Sequence, residues 1–171
     1  MAGKLGLSRV DPATDKPLVT ELLEMLQLIE TDMTLFHRNL ALLDASPETS
    51  DEALLAPLWP AYYRPEALTA EHRARTTAWL RRYLERARAE GCNDHERRAR
   101  MNRVNPKYVL RNYLAQLAID QCEQGDYSLV HELLELLRHP YDEQPDKEHF
   151  AAKRPEWARR RAGCSMLSCS S

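Results

Sequence analysis

The 171 residues suit one modest domain, and with 43% apolar and 29% charged residues the chain can build a core. The formal net charge of −2 indicates no polyanionic partner for the chain as a whole. Five glycines, none of them in a Gly-rich segment, exclude a nucleotide site built on a phosphate-cradling loop.

The first third of the chain predicts two helices and a proline-rich connection. A short leader ends near Pro17, after which apolar residues recur on one helical face, at Leu18, Leu22, Met25, Leu26 and Ile29. Thr31 or Asp32 can cap a second helix, whose apolar positions are Leu35, Phe36, Leu40 and Leu43. Four prolines between residues 46 and 65 restrict any helix there to a short length.

The middle of the chain predicts a longer helix from about Thr69 to Glu90. Gly91 stands just past its end, where a left-handed C-cap is expected. Asn93 then predicts a cap for a shorter helix that ends near Asn102.

The clearest helix-start signal is Asn105-Pro106, an amide that can cap followed by a proline at the first helical position. It predicts a helix that ends before Gly125. Asp126 predicts the cap of a further helix, closed by His139-Pro140.

From Tyr141 onward the helical pattern is lost among prolines, charges and small polar residues. We expect an extended arm here, docked, if at all, by Phe150 and Trp157. The sequence thus predicts an all-α chain of six or seven helices. Its helical region covers residues 1–140 and its extended tail covers residues 141–171.

Charge is distributed unevenly along the chain. Residues 1–66 hold 5 Lys/Arg and 11 Asp/Glu, whereas residues 73–103 hold 10 Arg and 4 acids. One interpretation is a nucleic-acid surface, because clustered arginines neutralise phosphates. The other, which interleaved acids such as Glu85 and Glu96 favour, is intramolecular pairing with the acidic first third or a solvated face.

Few side chains suggest chemistry. The six histidines and four cysteines form no recognised metal-binding spacing. Arg111 and Asn112 lie beside an apolar stripe and are more typical of a helix-packing tie than of ligand contact. Cys164 and Cys169 lie in a Gly/Ser-rich terminal segment, where a thiol can meet a partner thiol; an unselected tail is the alternative.

We expect a soluble, cytoplasmic chain. No apolar stretch of signal-peptide or membrane-spanning length occurs, so no membrane association is predicted. The cysteines are too few and too unevenly placed for a secreted disulfide scaffold.

Several segments together resemble the C-terminal region of the selenoprotein O family. The resemblance runs through Asn105-Pro106-Lys107-Tyr108-Val109-Leu110-Arg111-Asn112, Gly125-Asp126, Leu137-Arg138-His139-Pro140-Tyr141 and Arg154-Pro155-Glu156-Trp157 to Ser168-Cys169-Ser170-Ser171. Lys4-Leu5-Gly6-Leu7 extends it to the front of the chain, so that it covers nearly all 171 residues.

The resemblance implies the C-terminal helical part of a protein adenylyltransferase with a kinase-like fold. Such enzymes transfer AMP from ATP to Ser, Thr or Tyr hydroxyls of proteins, with Mg²⁺ or Mn²⁺. The family's ATP-binding, metal-binding and proton-acceptor residues lie upstream of the matched region, so no catalytic, cofactor or metal residue is carried over. The chain alone is expected to be inactive and to support the kinase-like N-terminal part, its implied partner.

One functional position carries over by resemblance. Some family members have selenocysteine at the third position from the end, which Cys169 occupies here. This implies a reversible disulfide between Cys169 and a thiol of the kinase-like part, with Cys164 as a weaker candidate for a resolving thiol. A stand-alone helical interaction module, a nucleic-acid binder acting through residues 73–103 and a truncated remnant without independent function remain the alternatives.

Overall fold

A computed structural model describes residues 1–91 and 93–164. Over these ranges it contains helices and no β-strand, apart from one isolated bridge between Thr31 and Tyr62, which confirms the predicted all-α class. The α-helices are α1 (Pro12–Leu28), α2 (Met33–Leu40), α3 (Asp51–Leu55), α4 (Ala70–Arg88), α5 (Asp94–Asn102), α6 (Asn112–Cys122) and α7 (Ser128–Arg138). The 3₁₀-helices are Ala2–Leu5, Ala56–Ala61, Pro65–Ala67, Pro145–Ala151 and Glu156–Arg159.

The chain divides into two compact units, Met1–Asn105 and Pro106–Ser171. This division differs from the one suggested by the loss of helical pattern at Tyr141. Two 3₁₀-helices lie in the predicted arm, and Phe150 is buried in the same core as Leu114 and Leu133. The described part of the arm therefore belongs to the second unit.

Local caps determine where several helices of the first unit begin. The side chains of Asp32, Thr69 and Asn93 each accept a hydrogen bond from the backbone N–H three residues later, at 3.0, 3.2 and 2.9 Å respectively. These three predicted helix starts are confirmed. Gly91 has a φ of +74° just past α4, the left-handed conformation predicted for it. The segment rich in proline contains only the short α3 and two 3₁₀-helices, as expected.

The start of α1 is a correction to the sequence pattern. The pattern predicts a helix after Pro17, but α1 begins at Pro12 and contains Pro17. The carboxylate of Asp11 accepts the N–H of Ala13 at 3.1 Å, and Asp15 accepts the N–H of Asp11 at 2.8 Å. These reciprocal bonds satisfy backbone N–H groups at the start of α1 and so stabilise a helix that begins at Pro12. The cost is one backbone hydrogen bond, because Pro17 has no N–H to donate within the helix.

The core of the first unit is built on α4. Trp79 and Tyr83 are fully buried and stack with their ring centroids 5.4 Å apart. The indole N–H of Trp79 donates to the backbone oxygen of Leu18 in α1 at 2.8 Å, which satisfies its only polar atom. Because the aromatic face of α4 is turned inward, its arginines lie along the margins, facing neighbouring elements.

The predicted helix start at Asn105-Pro106 is wrong. Helix α6 begins at Asn112, and Arg111 precedes it without a side-chain cap. Asn105 is 1% exposed, and its side-chain amide donates to the backbone oxygen of Lys4 at 2.9 Å. A long-range contact therefore uses the side chain that the local pattern assigns to capping.

Residues 106–111 form a connection fixed to the end of α7. The backbone N–H groups of Lys107 and Tyr108 both donate to the oxygen of Pro140, at 2.7 and 3.1 Å. The Tyr108 hydroxyl donates to the backbone oxygen of Gln144 at 3.0 Å. Helix α7 begins close to its predicted cap, because Asp126 accepts the N–H of Ser128 at 2.8 Å.

Candidate functional site: the arginine-lined helix and its surroundings

The arginines of α4 pair with acids of the first 66 residues. Arg75 contacts Glu24 at 2.7 Å, and Arg86 contacts Asp15 at 2.8 Å. Two further pairs join Arg82 to Glu21 and Arg81 to Asp51. The uneven charge distribution is therefore compensated within the first unit. Exposed pairs add about 0–1 kcal/mol each to stability, but they also lower the positive potential that would attract phosphates.

Arg97 is a buried cation that the sequence did not reveal. It is 1% exposed, and its guanidinium donates to the backbone oxygens of Leu40 at 3.4 Å and Leu43 at 2.5 Å. Further bonds reach the Tyr83 hydroxyl at 3.1 Å and the Asp94 carboxylate at 3.0 Å. The acid three residues earlier, Asp94, does not set Arg97 apart in the sequence, because Arg88 has Glu85 at the same spacing. With its donors engaged by protein acceptors, Arg97 acts as a packing tie.

Glu90 connects the amino-terminal segment to the end of α4. Its carboxylate accepts from the N–H and hydroxyl of Ser8 and from the N–H of Arg9, and it pairs with Arg86 at 3.1 Å. Burial alone would raise the pKa of Glu90, but these hydrogen bonds outweigh it and lower the pKa to about 2. Glu90 is thus a fixed anion at neutral pH.

The structure brings together two segments that carry the family resemblance. In the Lys4–Leu7 segment, the backbone oxygen of Leu5 accepts the Tyr83 hydroxyl at 2.9 Å. The oxygen of Gly6 accepts Arg100 at 3.1 Å, and that of Lys4 accepts Asn105. The front segment is therefore tied to α4, α5 and the start of the Asn-Pro element.

The other residues of the Asn-Pro element belong to a different unit from Asn105. Pro106, Arg111 and Asn112 belong to the second unit, where Arg111 is half-buried and Asn112 is exposed at the start of α6. Asn105 belongs to the first unit. The role of Arg111 and Asn112 as packing ties remains a prediction.

Of the two redox candidates, only Cys164 lies within the described residues. Cys164 is 3% exposed in the core of the second unit, unlike the accessible thiol that its Gly/Ser-rich context suggests. Cys169 lies outside the described residues, as does Cys92. Cys122 is a half-buried free thiol on α6, which the sequence had not singled out.

Residues 1–91 and 93–164 contain neither a cluster of metal-ligating side chains nor a membrane-spanning helix. No three His, Cys, Asp or Glu side chains there are grouped so as to hold a metal ion. No helix in those ranges is long and apolar enough to cross a membrane.

The described residues thus form helices, arranged in two compact units and held by internal ion pairs and buried hydrogen bonds. The family described as "Protein adenylyltransferase SelO" matches residues 1–138, and the chain belongs to this family. Relatives called "Protein nucleotidyltransferase YdiU" match the whole chain, at 56% identity in Rhodopirellula baltica, 53% in Tolumonas auensis and 46% in Nitrosospira multiformis. The match covers 33%, 32% and 34% of those relatives, so the chain spans about a third of their length.

Proposed function

We propose that this chain is the C-terminal helical part of a protein adenylyltransferase. The complete enzyme would transfer AMP from ATP to Ser, Thr or Tyr hydroxyls of protein substrates, in the cytoplasm. The observation that carries the proposal is the match of the entire chain to about a third of nucleotidyltransferase relatives. In this proposal ATP and Mg²⁺ or Mn²⁺ bind the kinase-like part outside the chain.

The proposed role of the chain is to support that kinase-like part. Its sequence has no Gly-rich phosphate-binding segment. Two of its polar groups with several contacts, Arg97 and Glu90, are engaged in intramolecular bonds within the first unit. Phosphoryl-type chemistry requires phosphate donors and metal ligands to converge on one site, and we assign that site to the partner region.

A chimeric enzyme tests this role. The third of the Rhodopirellula baltica relative that the chain matches is replaced by this chain, and transfer of labelled AMP to protein is measured. We expect transfer by the chimera, no transfer by the chain alone, and a loss of at least ten-fold when the matched third is deleted. Transfer by the chain alone, or full transfer after the deletion, would contradict the proposal.

The proposed redox role of Cys169 is tested in the same chimera. Formation of a disulfide removes two protons and two electrons from two thiols, here by an oxidant such as oxidised glutathione. We expect oxidised and reduced glutathione to alter AMP transfer by the chimera, and Cys169→Ser to remove that response. Cys92→Ser is the control variant. Unchanged redox sensitivity in Cys169→Ser would count decisively against the role.

A further inference from the structure

The second unit carries an open apolar groove on α6 and α7. Its volume is about 590 Å³, and nine of its ten lining residues are apolar. The tenth, Glu123, is an exposed carboxylate beyond the end of α6. The main apolar contributors are Leu110, Ile119, Cys122, Val130, Leu134 and Leu137.

Several large side chains of this groove are left in contact with water. Leu110, Ile119 and Leu134 are 54%, 50% and 51% exposed. Covering the groove is favourable, because it would remove the exposed half of each of these side chains from water. Contiguous exposed apolar surface of this kind marks interaction sites on proteins.

The groove borders the core of the second unit, because Ala118 and Leu133 line the groove and are also buried in that core. Other positions of the same helices, Tyr113, Leu114 and Leu136, pack with Phe150 in the core and do not line the groove. Helix α7 therefore carries two apolar surfaces: one buried in the unit, and one containing Val130 and Leu134 that faces the groove. A helix on the surface of a globular protein typically has a single apolar stripe, which faces the core.

We propose that this groove, formed by α6 and α7, is the surface on which the rest of the family's polypeptide docks. The inference rests on the proposed function. In the relatives that match the whole chain, about two thirds of the polypeptide lies outside the matched region. The groove fits an apolar helical segment of that polypeptide. In helix-in-groove recognition, a helix lays its apolar face into a hydrophobic groove, and the lining between α6 and α7 is almost purely apolar.

A segment of the same protein is favoured over a second copy of the chain. A covalently connected segment is present at an effective concentration on the order of millimolar, far above that of a second molecule. Docking also removes the exposed leucines from water without requiring an oligomer. The docked segment would place a basic or neutral polar residue beside Glu123, because burial of that carboxylate without a partner is unfavourable.

Cys122 provides a direct reporter of this docking, since its half-buried thiol lines the groove. The rate of its alkylation by N-ethylmaleimide is measured by peptide mass spectrometry in the 171-residue chain and in the chimera described above. We expect alkylation of Cys122 to be at least ten-fold slower in the chimera. Equal rates would overturn the proposal, and protection of the chain alone that disappears on dilution would identify a second copy as the occupant.

Substitutions in the groove test the contact independently of thiol chemistry. Ile119→Glu and Leu134→Glu, both at exposed positions, are expected to leave the chain alone folded. In the chimera they should restore rapid labelling of Cys122 and lower the unfolding temperature, whereas Leu23→Glu, at a 43% exposed position of α1, should do neither. Equal effects of all three substitutions would contradict the assignment of the docking surface to the groove.

The two proposals can fail separately. A chimera that transfers AMP while Cys122 remains unprotected would overturn the groove assignment alone. A chimera that protects Cys122 but transfers no AMP would overturn the proposed function while retaining a docking surface.

Discussion

The carboxylate of Glu90 accepts two hydrogen bonds from Ser8, one from the backbone N–H at 2.8 Å and one from the hydroxyl at 2.7 Å. The two residues are 82 positions apart. Their contact holds the amino-terminal segment against the end of α4, beside Arg86 and Arg100, which lie 3.1 and 3.7 Å from the same carboxylate. A single anion thus organises a junction between distant parts of the sequence.

Glu90 is expected to make the first unit sensitive to acid. Its pKa falls from the ordinary 4.5 to about 2 in the folded chain, so the unfolded state binds a proton more readily. The stabilisation is therefore complete above about pH 4.5 and is lost as the pH falls toward 2. The shift corresponds to roughly 3 kcal/mol, since one pKa unit is about 1.4 kcal/mol.

Glu90→Gln tests this dependence. We expect the substitution to lower the free energy of unfolding at pH 7 by about 2–4 kcal/mol, because the donors of Ser8, Arg9 and Arg86 lose a charged acceptor. It should also flatten the decline of stability between pH 4.5 and 2. Urea unfolding followed by circular dichroism measures both, with Glu85→Gln at an exposed position of α4 as the control. The same pH slope in wild type and Glu90→Gln would contradict the assignment.

Gly6 is expected to be required for close packing as well as for its backbone angle. Its φ is +71°, and an added Cβ would lie 2.9 Å from side-chain atoms of Arg97 and Met101. Gly91 has a similar φ of +74° with nothing within 4 Å, which makes it a matched control. Gly91→Ala reports backbone strain of about 1–2 kcal/mol, and Gly6→Ala adds overpacking of about 1–3 kcal/mol. Equal losses of unfolding free energy in the two variants would show that packing at Gly6 is unimportant.

Helix starts were predictable from sequence where the capping side chain and the backbone N–H that donates to it are neighbours. Asp32, Thr69 and Asn93 cap through bonds that span three residues, so a local pattern contains all the information. Asn105 looks equally suitable but is engaged by Lys4, 101 residues away, and no local pattern encodes that competition.

In the candidate site, too, the features that depend on long-range contacts could not be predicted from a local sequence pattern. The intramolecular interpretation of the arginine run could be inferred because opposite charges were separated along the chain. Burial of Arg97 could not, because two of its acceptors are backbone oxygens, which are independent of residue type, and the Tyr83 hydroxyl lies 14 positions away. The groove was equally hidden, since the two apolar surfaces of α7 read in sequence as one continuous leucine-rich stripe.

The arginine-lined helix is expected not to act as a nucleic-acid surface. Arg75, Arg82 and Arg86 each pair with an acid of α1, which reduces the charge available to phosphates. We expect a dissociation constant weaker than about 10⁻⁴ M for single- or double-stranded oligonucleotides at physiological salt, measured by fluorescence anisotropy. Micromolar binding that weakens steeply with added salt and with Arg82→Ala would instead support a nucleic-acid function.

His37 is expected to destabilise the first unit as the pH falls below neutrality. The ring is 3% exposed, Nδ1 donates to the backbone oxygen of Met33 at 2.8 Å, and Nε2 is buried with no partner among the described residues. Burial lowers the pKa of His37 below its ordinary 6.5, and the positive charges of Lys4 and the amino terminus act in the same direction. Protonation would place an unpaired N–H and a charge in the core.

The sign follows from the proton balance. Below about pH 6.5 the unfolded chain binds a proton at this position and the folded chain does not, so stability falls by up to about 1.4 kcal/mol per pH unit.

His37→Leu should remove this part of the pH dependence between pH 6.5 and 5. It should change stability at pH 7 by about 1 kcal/mol or less, because it deletes one hydrogen bond and an unpaired nitrogen together. His131→Gln, at an exposed position of α7, is the control and should retain the wild-type slope. Because the titration of Glu90 falls below pH 4.5, urea unfolding between pH 5 and 7 isolates the histidine. An unchanged slope in His37→Leu would mean that the buried ring is not the group that titrates.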